Sequence, residues 1–135
     1  MNISAAARES GLSAKTIRYY EEIGLIAPAA RAENGYRQYD SKAVDDLQFI
    51  ARAREVGFDL QECRQLLDLL RDPHRQSQHA QRLVLEKSRH LQQRIDRLLA
   101  MQRELRAMAE RCHGNEGPDC AILEDLAAPP GAHQP

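Results

Sequence analysis

At 135 residues, with 42% hydrophobic and 29% charged residues, the chain has the make-up of one globular domain plus an extension. No apolar run is long enough to span a membrane and the N-terminus lacks a signal peptide's basic-then-apolar order, so a cytoplasmic protein is expected. A net charge of −1 removes bulk charge as an argument for nucleic-acid binding, and three cysteines are too few for a secreted disulfide scaffold.

The first elements read as helices. Ser4 is a suitable N-cap for a short helix, Ala5–Ser10, which Gly11 stops. Ser13 caps a second helix from Ala14 to about Ile23, stopped at Gly24. Two short helices joined through Gly-Leu-Ser have the spacing of a helix-turn-helix. Ile17 and Tyr20 fall on one face of the second helix, with Leu12 at its entry, and are assigned to the core. Lys15 and Arg18, three apart, share the opposite face. A recognition helix needs such a basic face near its N-terminus, although any solvated helix can carry the same pair.

Leu25-Ile26 gives a short strand signal, and Asn34-Gly35 is a hairpin turn. Tyr36–Tyr39 alternates as a strand with Arg37 and Tyr39 on one face, making a two-stranded wing. Arg31, Arg37 and Tyr39 are placed to reach a sugar–phosphate backbone, and Tyr36 to pack partly on the helices. Asp40 caps a third helix from Ser41 to about Val56, with a core stripe of Val44, Leu47 and Ala51 widened by Phe49 and Ile50. Arg52 and Arg54 in its last turns either complement the helix dipole or touch phosphates. Asp59 and Glu62 form a capping-box pair for a fourth helix ending near Arg71. Cys63 lies on its apolar stripe with Leu66, Leu67 and Leu70 and reads as a small buried hydrophobe.

Asp72-Pro73 breaks the chain, and residues 72–78 read as a linker in which Ser77 caps the next helix. His79–Arg111 has no Pro or Gly and repeats apolar residues at Val84, Leu91, Ile95, Leu98, Leu105 and Met108 or Ala109. A helix of that length, about 50 Å, outruns any small domain that could cover it, so its seam calls for the same helix of a second copy. The expected fold is mainly α: a winged helix-turn-helix head at 1–71, the linker, and a long dimerisation helix at 79–111 in an antiparallel coiled coil. A thiol-bearing loop and short helix at 112–127 and a disordered tail at 128–135 complete it.

Cys112 ends the long helix and Cys120 precedes the amphipathic segment Ala121–Leu126, whose first-turn amides would favour a thiolate. The loop between them, with two Gly and one Pro, can bring the two sulfurs face to face. Structural zinc wants four ligands. A soft monovalent ion such as Cu(I) or Ag(I) prefers thiolates and is satisfied by two. Four readings stay open on spacing alone: a monovalent-metal site, a reversible disulfide switch, a zinc or other divalent-metal site completed by His113, His74 or His79 of another chain, and a cysteine pair without function. No general acid–base pair or phosphate-cradling glycine loop stands out, so a sensor is expected and not an enzyme.

Taken together, Thr16–Pro28 (TIRYYEEIGLIAP), Glu33–Tyr39 (ENGYRQY) and Ala53–Glu62 (AREVGFDLQE) resemble the mercury-resistance-regulator (MerR) family of bacterial transcription activators. Asp72–Ser77 (DPHRQS), with Cys112 and the Asp119-Cys120 pair, is similar to the copper-efflux-regulator branch of that family. The resemblance implies a homodimer that binds double-stranded promoter DNA and acts on RNA polymerase by bending and untwisting the promoter, typically of metal-efflux genes. Cys112 and Cys120 would hold Cu(I), with Ag(I) or Au(I) as alternatives. A cysteine of the divalent-metal members is replaced here by Ser77, which would form part of the metal-site wall. Matched by position, the DNA contacts would be Lys15, Arg18, Tyr20, Arg31, Tyr36, Arg37, Tyr39 and Arg54. A thiol-redox or other-metal sensor of the same family is the alternative function. Cys63 and the loop sequence HGNEGPD depart from the branch's pattern.

Overall fold

The computed structural model describes residues 1–129, so most of the tail expected at 128–135 lies outside the described residues. The chain forms two compact units, Met1–Lys87 and the remainder from Ser88.

The first unit begins with α1 (Ile3–Ser10) and α2 (Ala14–Glu22). Asn2, and not Ser4, caps α1: its side chain accepts the Ala5 amide at 2.9 Å from an extended backbone. Asn caps as well as Ser, and using it starts the helix at Ile3 instead of Ala5, about half a turn earlier. Ser13 caps α2 as expected, accepting the Thr16 amide at 3.0 Å. At the far end the chain reverses through Gly24 (φ 75°), in the left-handed region open to glycine. The Gly24 and Leu25 amides then donate to the carbonyls of Glu21 and Tyr20. That turn explains why Leu25-Ile26 is not a strand. Its amides are committed to α2, and both side chains are buried in the core at 3% exposure.

The wing pairs β1 (Ala30–Arg31) with β2 (Arg37–Gln38) antiparallel, Arg31 facing Arg37 across the ladder. Asp40 caps α3 (Ser41–Glu55), and a complete Asp59–Glu62 capping box starts α4 (Leu60–Arg71). α1 packs on α2 and α3, and α3 on α4. Their shared core holds Ile17, Tyr20, Leu25, Ile26, Tyr39, Val44, Leu47, Ile50, Phe58, Cys63 and Leu67. Each fully buried aliphatic side chain here contributes about 1.5–3 kcal/mol relative to an exposed one. On α3 the stripe runs through Ile50 and Ala53, with Ala51 only half-buried. On α4 Cys63 and Leu67 are buried while Leu70 is exposed.

α5 runs Ser77–Arg111, 35 residues and about 52 Å at 1.5 Å per residue. It starts before residue 79 because the His79 amide donates to the Gln76 carbonyl at 3.0 Å, which draws Ser77 into the first turn instead of the cap. Lys87 is its one buried residue. The Lys87 ammonium lies 2.8 Å from Glu62 Oε1 and 5.8 Å from the centre of the Phe58 ring, fastening the helix to the capping box of α4.

The second unit contains the rest of α5, the loop 112–120 and α6 (Ala121–Ala127). None of its described residues is buried. Ile95, Leu98 and Leu105 are 49%, 61% and 64% exposed, so the apolar seam read from the sequence stands open on one chain.

Candidate nucleic-acid interface and candidate metal centre

In the head, α2 and the wing enclose a cleft of about 650 Å³. Arg18 comes from α2, Arg31 and Arg37 from the two strands, Tyr36 and Asn34 from the hairpin, and Asn2 from the cap of α1. Lys15 is exposed on α2, and Arg18 three residues on keeps it company on the same side. Tyr36 is 71% exposed at the hairpin. Two arginines directly opposite each other on a ladder repel. Three guanidinium groups around one open cleft make a receptor for anions spaced along a backbone.

Arg37 is relieved by one of two bonds that meet at Glu21. Its Nη1 donates to Glu21 Oε2 at 2.8 Å, and the Tyr39 hydroxyl donates to Glu21 Oε1. Glu21 is buried at 8% exposure. Tyr39 is 1% exposed, and its phenol is pushed up to about 12, first by burial and then by the Glu21 carboxylate. Tyr20, at 5% exposure, is likewise raised, chiefly by burial, with the Arg54 guanidinium opposing. These two tyrosines therefore do not offer the cleft a free hydroxyl. Tyr20 and Tyr39, which the family resemblance would place on DNA, are packed in the core of this chain, with the Tyr39 hydroxyl on Glu21. Arg54 is exposed and donates to the Phe58 carbonyl at 3.1 Å.

Glu21 escaped the sequence reading because acidic residues on short helices are usually solvated. The signal was present: Ile17, Tyr20 and Glu21 follow i, i+3, i+4, which puts a carboxylate on the apolar stripe. Arg64 was missed too. It donates to the carbonyls of Gly24 and Ile23 at 3.0 and 3.3 Å, tying α4 to the end of α2.

In the second unit the Sγ atoms of Cys112 and Cys120 lie 3.4 Å apart, both half-buried and not joined in a disulfide. That is beyond the S–S bond length of about 2.05 Å. Cys120 is the N-cap of α6, its thiol facing the first-turn amides of that helix. The Leu123 amide first, then the Cys112 thiol, hold its own thiol below the ordinary range. Gly114, at φ 65°, and the Asn115 side chain accepting the Gly117 amide at 2.8 Å turn the loop. Arg111 and Asp125 join its two flanks at 3.5 Å. His113 is exposed. Among the described residues no group of three or more His, Cys, Asp or Glu is arranged to hold a metal. The donor set is two thiols, which suits a soft monovalent ion and falls short of a four-ligand zinc site. Ser77 is exposed at the start of α5. Cys63, fully buried with its thiol raised by burial, packs as a hydrophobe.

Comparison with known proteins identifies the frame around these sites. The family described as MerR HTH family regulatory protein matches residues 1–70, and the MerR DNA-binding family matches residues 44–108. The HTH-type transcriptional regulator CueR of Salmonella typhi is 44% identical over 127 residues, covering 94% of this chain and 92% of that protein. The transcription regulator of Ralstonia metallidurans solved in complex with lead(II) has a TM-score of 0.84 at 31% identity, covering 94% of this chain and 99% of that one. The regulator MerR of Bacillus megaterium solved with mercury(II) has a TM-score of 0.72 at 34% identity, over 90% of this chain and 95% of that one. With the winged head, the long helix and relatives of this identity along nearly its whole length, the chain belongs to the MerR family of helix-turn-helix transcriptional regulators.

Proposed function

We propose that this regulator is a copper(I)-responsive, dimeric transcription activator that remodels promoter DNA when metal binds and controls metal-efflux genes. The observation that carries the reading is the isolated pair of thiols, Cys112 and Cys120, 3.4 Å apart on a loop between two helices. Ser77 begins α5 without a sulfur, which leaves the site two thiolates and favours a monovalent ion over the lead(II) and mercury(II) of its structural relatives. Ag(I) and Au(I) share this chemistry. Cys112 and Cys120 would hold the ion through their thiolates, and the ion would supply soft Lewis-acid affinity for sulfur. Cys112 at the end of α5 and Cys120 at the start of α6 hold it, so the loop and its two flanking helices sense occupancy together.

Dimerisation is inferred from the exposed Ile95, Leu98 and Leu105, which a second α5 covers. Lys15, Arg18, Arg31, Tyr36, Arg37 and Arg54 are the proposed DNA contacts, with α2 in the major groove and the wing on the backbone. Metal then selects between two promoter geometries, and RNA polymerase engages the favourable one. Such work belongs in the cytoplasm. Arg18→Ala is expected to weaken binding to the chain's own upstream promoter about tenfold while leaving metal affinity unchanged, read by gel shift beside metal titration.

The proximity of the sulfurs also favours a thiol-redox sensor. Anaerobic titration of the reduced protein with Cu(I), with X-ray absorption to count sulfur neighbours, separates the two. Two sulfur neighbours and a transcriptional response without oxidant support the copper reading. A response to oxidant with no Cu(I) bound overturns it.

A further inference from the structure

The wing presents Arg31, Arg37 and Tyr36 to the cleft, yet its two strands have only two residues each. A two-stranded ribbon that short does not hold its own orientation. Its base is pinned by backbone pairing, the Met1 N-terminal ammonium donating to the Tyr39 carbonyl at 2.8 Å and the Tyr39 amide to the Met1 carbonyl at 2.7 Å. Toward α2, both side-chain bonds end on one carboxylate. Glu21 takes Arg37 on one oxygen and the Tyr39 hydroxyl on the other, across 16 and 18 residues of sequence.

A carboxylate is a costly choice for that place. Glu21 shares the buried face of α2 with Ile17 and Tyr20, where an apolar residue would serve the core at no desolvation cost. What the carboxylate alone provides is two charge-assisted bonds of fixed direction. We infer that Glu21 is a positioning residue for DNA binding: it sets the angle of the wing to the recognition helix, and holds the Arg37 guanidinium in the cleft, through Arg37 and Tyr39. The inference rests on the DNA-binding reading above and deepens it. Glu21 itself touches no phosphate. It converts a flexible hairpin into a second fixed arm beside α2, so that the two elements match one duplex geometry.

The test uses the full-length protein, its Glu21→Gln and Tyr39→Phe variants and the double variant. Each is bound to two duplexes of equal length, the chain's own upstream promoter and a scrambled sequence, over a range of salt. Glu21→Gln is expected to lower promoter affinity about tenfold. Affinity for the scrambled duplex holds or rises, and its salt dependence steepens by about 0.9 as Arg37 is freed from its counter-charge. The double variant loses no more than the worse single one, because both break the same tether. Amide hydrogen exchange of the free protein reads the tether without DNA: Glu21→Gln should speed exchange in residues 30–39 and leave α4 unchanged. Equal weakening on both duplexes, or a lowered melting temperature with an unchanged promoter preference, would make Glu21 merely structural and overturn the inference. Unchanged exchange in the wing overturns it as well. An unsubstituted protein that does not prefer its promoter sinks the transcription reading instead, and exchange alone then decides whether Glu21 holds the wing.

Discussion

The head and the thiol-bearing unit solve opposite problems. In Met1–Lys87 the apolar residues of four helices close over one another, and the charged groups that enter the core find partners: Glu21 with Arg37, and Asp46 with Arg71. From Ser88 onward no described residue is buried, and the long helix keeps its leucines and isoleucine exposed. The first unit closes a buried core within one chain. The second is a helix with an exposed apolar seam, ending in a loop whose distinctive chemistry is two sulfur atoms. On the proposed function, specificity for DNA and specificity for the effector sit in regions with different sources of order.

The largest expected effect lies in the sulfur pair. Cys112→Ser removes half of the donor set and should lower Cu(I) affinity by more than about a hundredfold, beyond what loss of an outer partner causes. Binding to promoter DNA without metal should stay as it was. Loss of both would show that the two regions are not divided as described. Next comes the core of the head. Leu47, fully buried, when changed to Ala should cost about 3 kcal/mol of folding stability, seen as a lower melting temperature at every protein concentration. Leu98→Glu puts a carboxylate on the open seam of α5. It should weaken self-association about tenfold or more by burying an unpaired charge, read by sedimentation equilibrium, while the secondary structure of the head is retained. A Leu98→Glu protein that sediments as the parent does would refute the proposed α5 seam.

The sequence announced most of what depends on local chemistry, the caps at Ser4 and Ser77 excepted. Caps at Ser13, Asp40 and the Asp59–Glu62 pair, the Asn34-Gly35 hairpin and the length of α5 are written in neighbouring residues, and each stands in the structure within a turn. The closeness of Cys112 and Cys120 was legible because only seven residues separate them and two are glycine. Long-range pairing was not legible. Nothing near Tyr39 says that its hydroxyl ends on Glu21, so alternation alone turned it toward solvent with Arg37. Leu25 and Ile26 have strand-forming side chains, and their fate was decided by Gly24 returning their backbone to α2. Arg64 reaches across 40 residues to the Gly24 carbonyl, a bond without any local signature.

The smallest effect tests the place where the long helix meets the head. Asp59 accepts the Glu62 amide at 2.8 Å, and Glu62 in turn accepts the Asp59 amide and holds Lys87 of α5. Asp59→Ala should cost about 1 kcal/mol, the usual value of an N-cap. The carboxyl of Asp59 is held below its ordinary range, first by the Glu62 amide, with Lys87 adding to the effect. A depressed carboxylate lends stability that is fully present above its unfolded value, about 3.9, and is lost as pH falls through the lower folded value. The gap in melting temperature between parent and Asp59→Ala should therefore be constant near neutral pH and narrow in acid. Asp59→Asn caps nearly as well without a charge, so it should match the parent near neutral pH and lack that acid-dependent loss. If Asp59→Asn instead fell as far as Asp59→Ala at neutral pH, the charge facing Lys87 and not the cap geometry would be what secures α5 to the head.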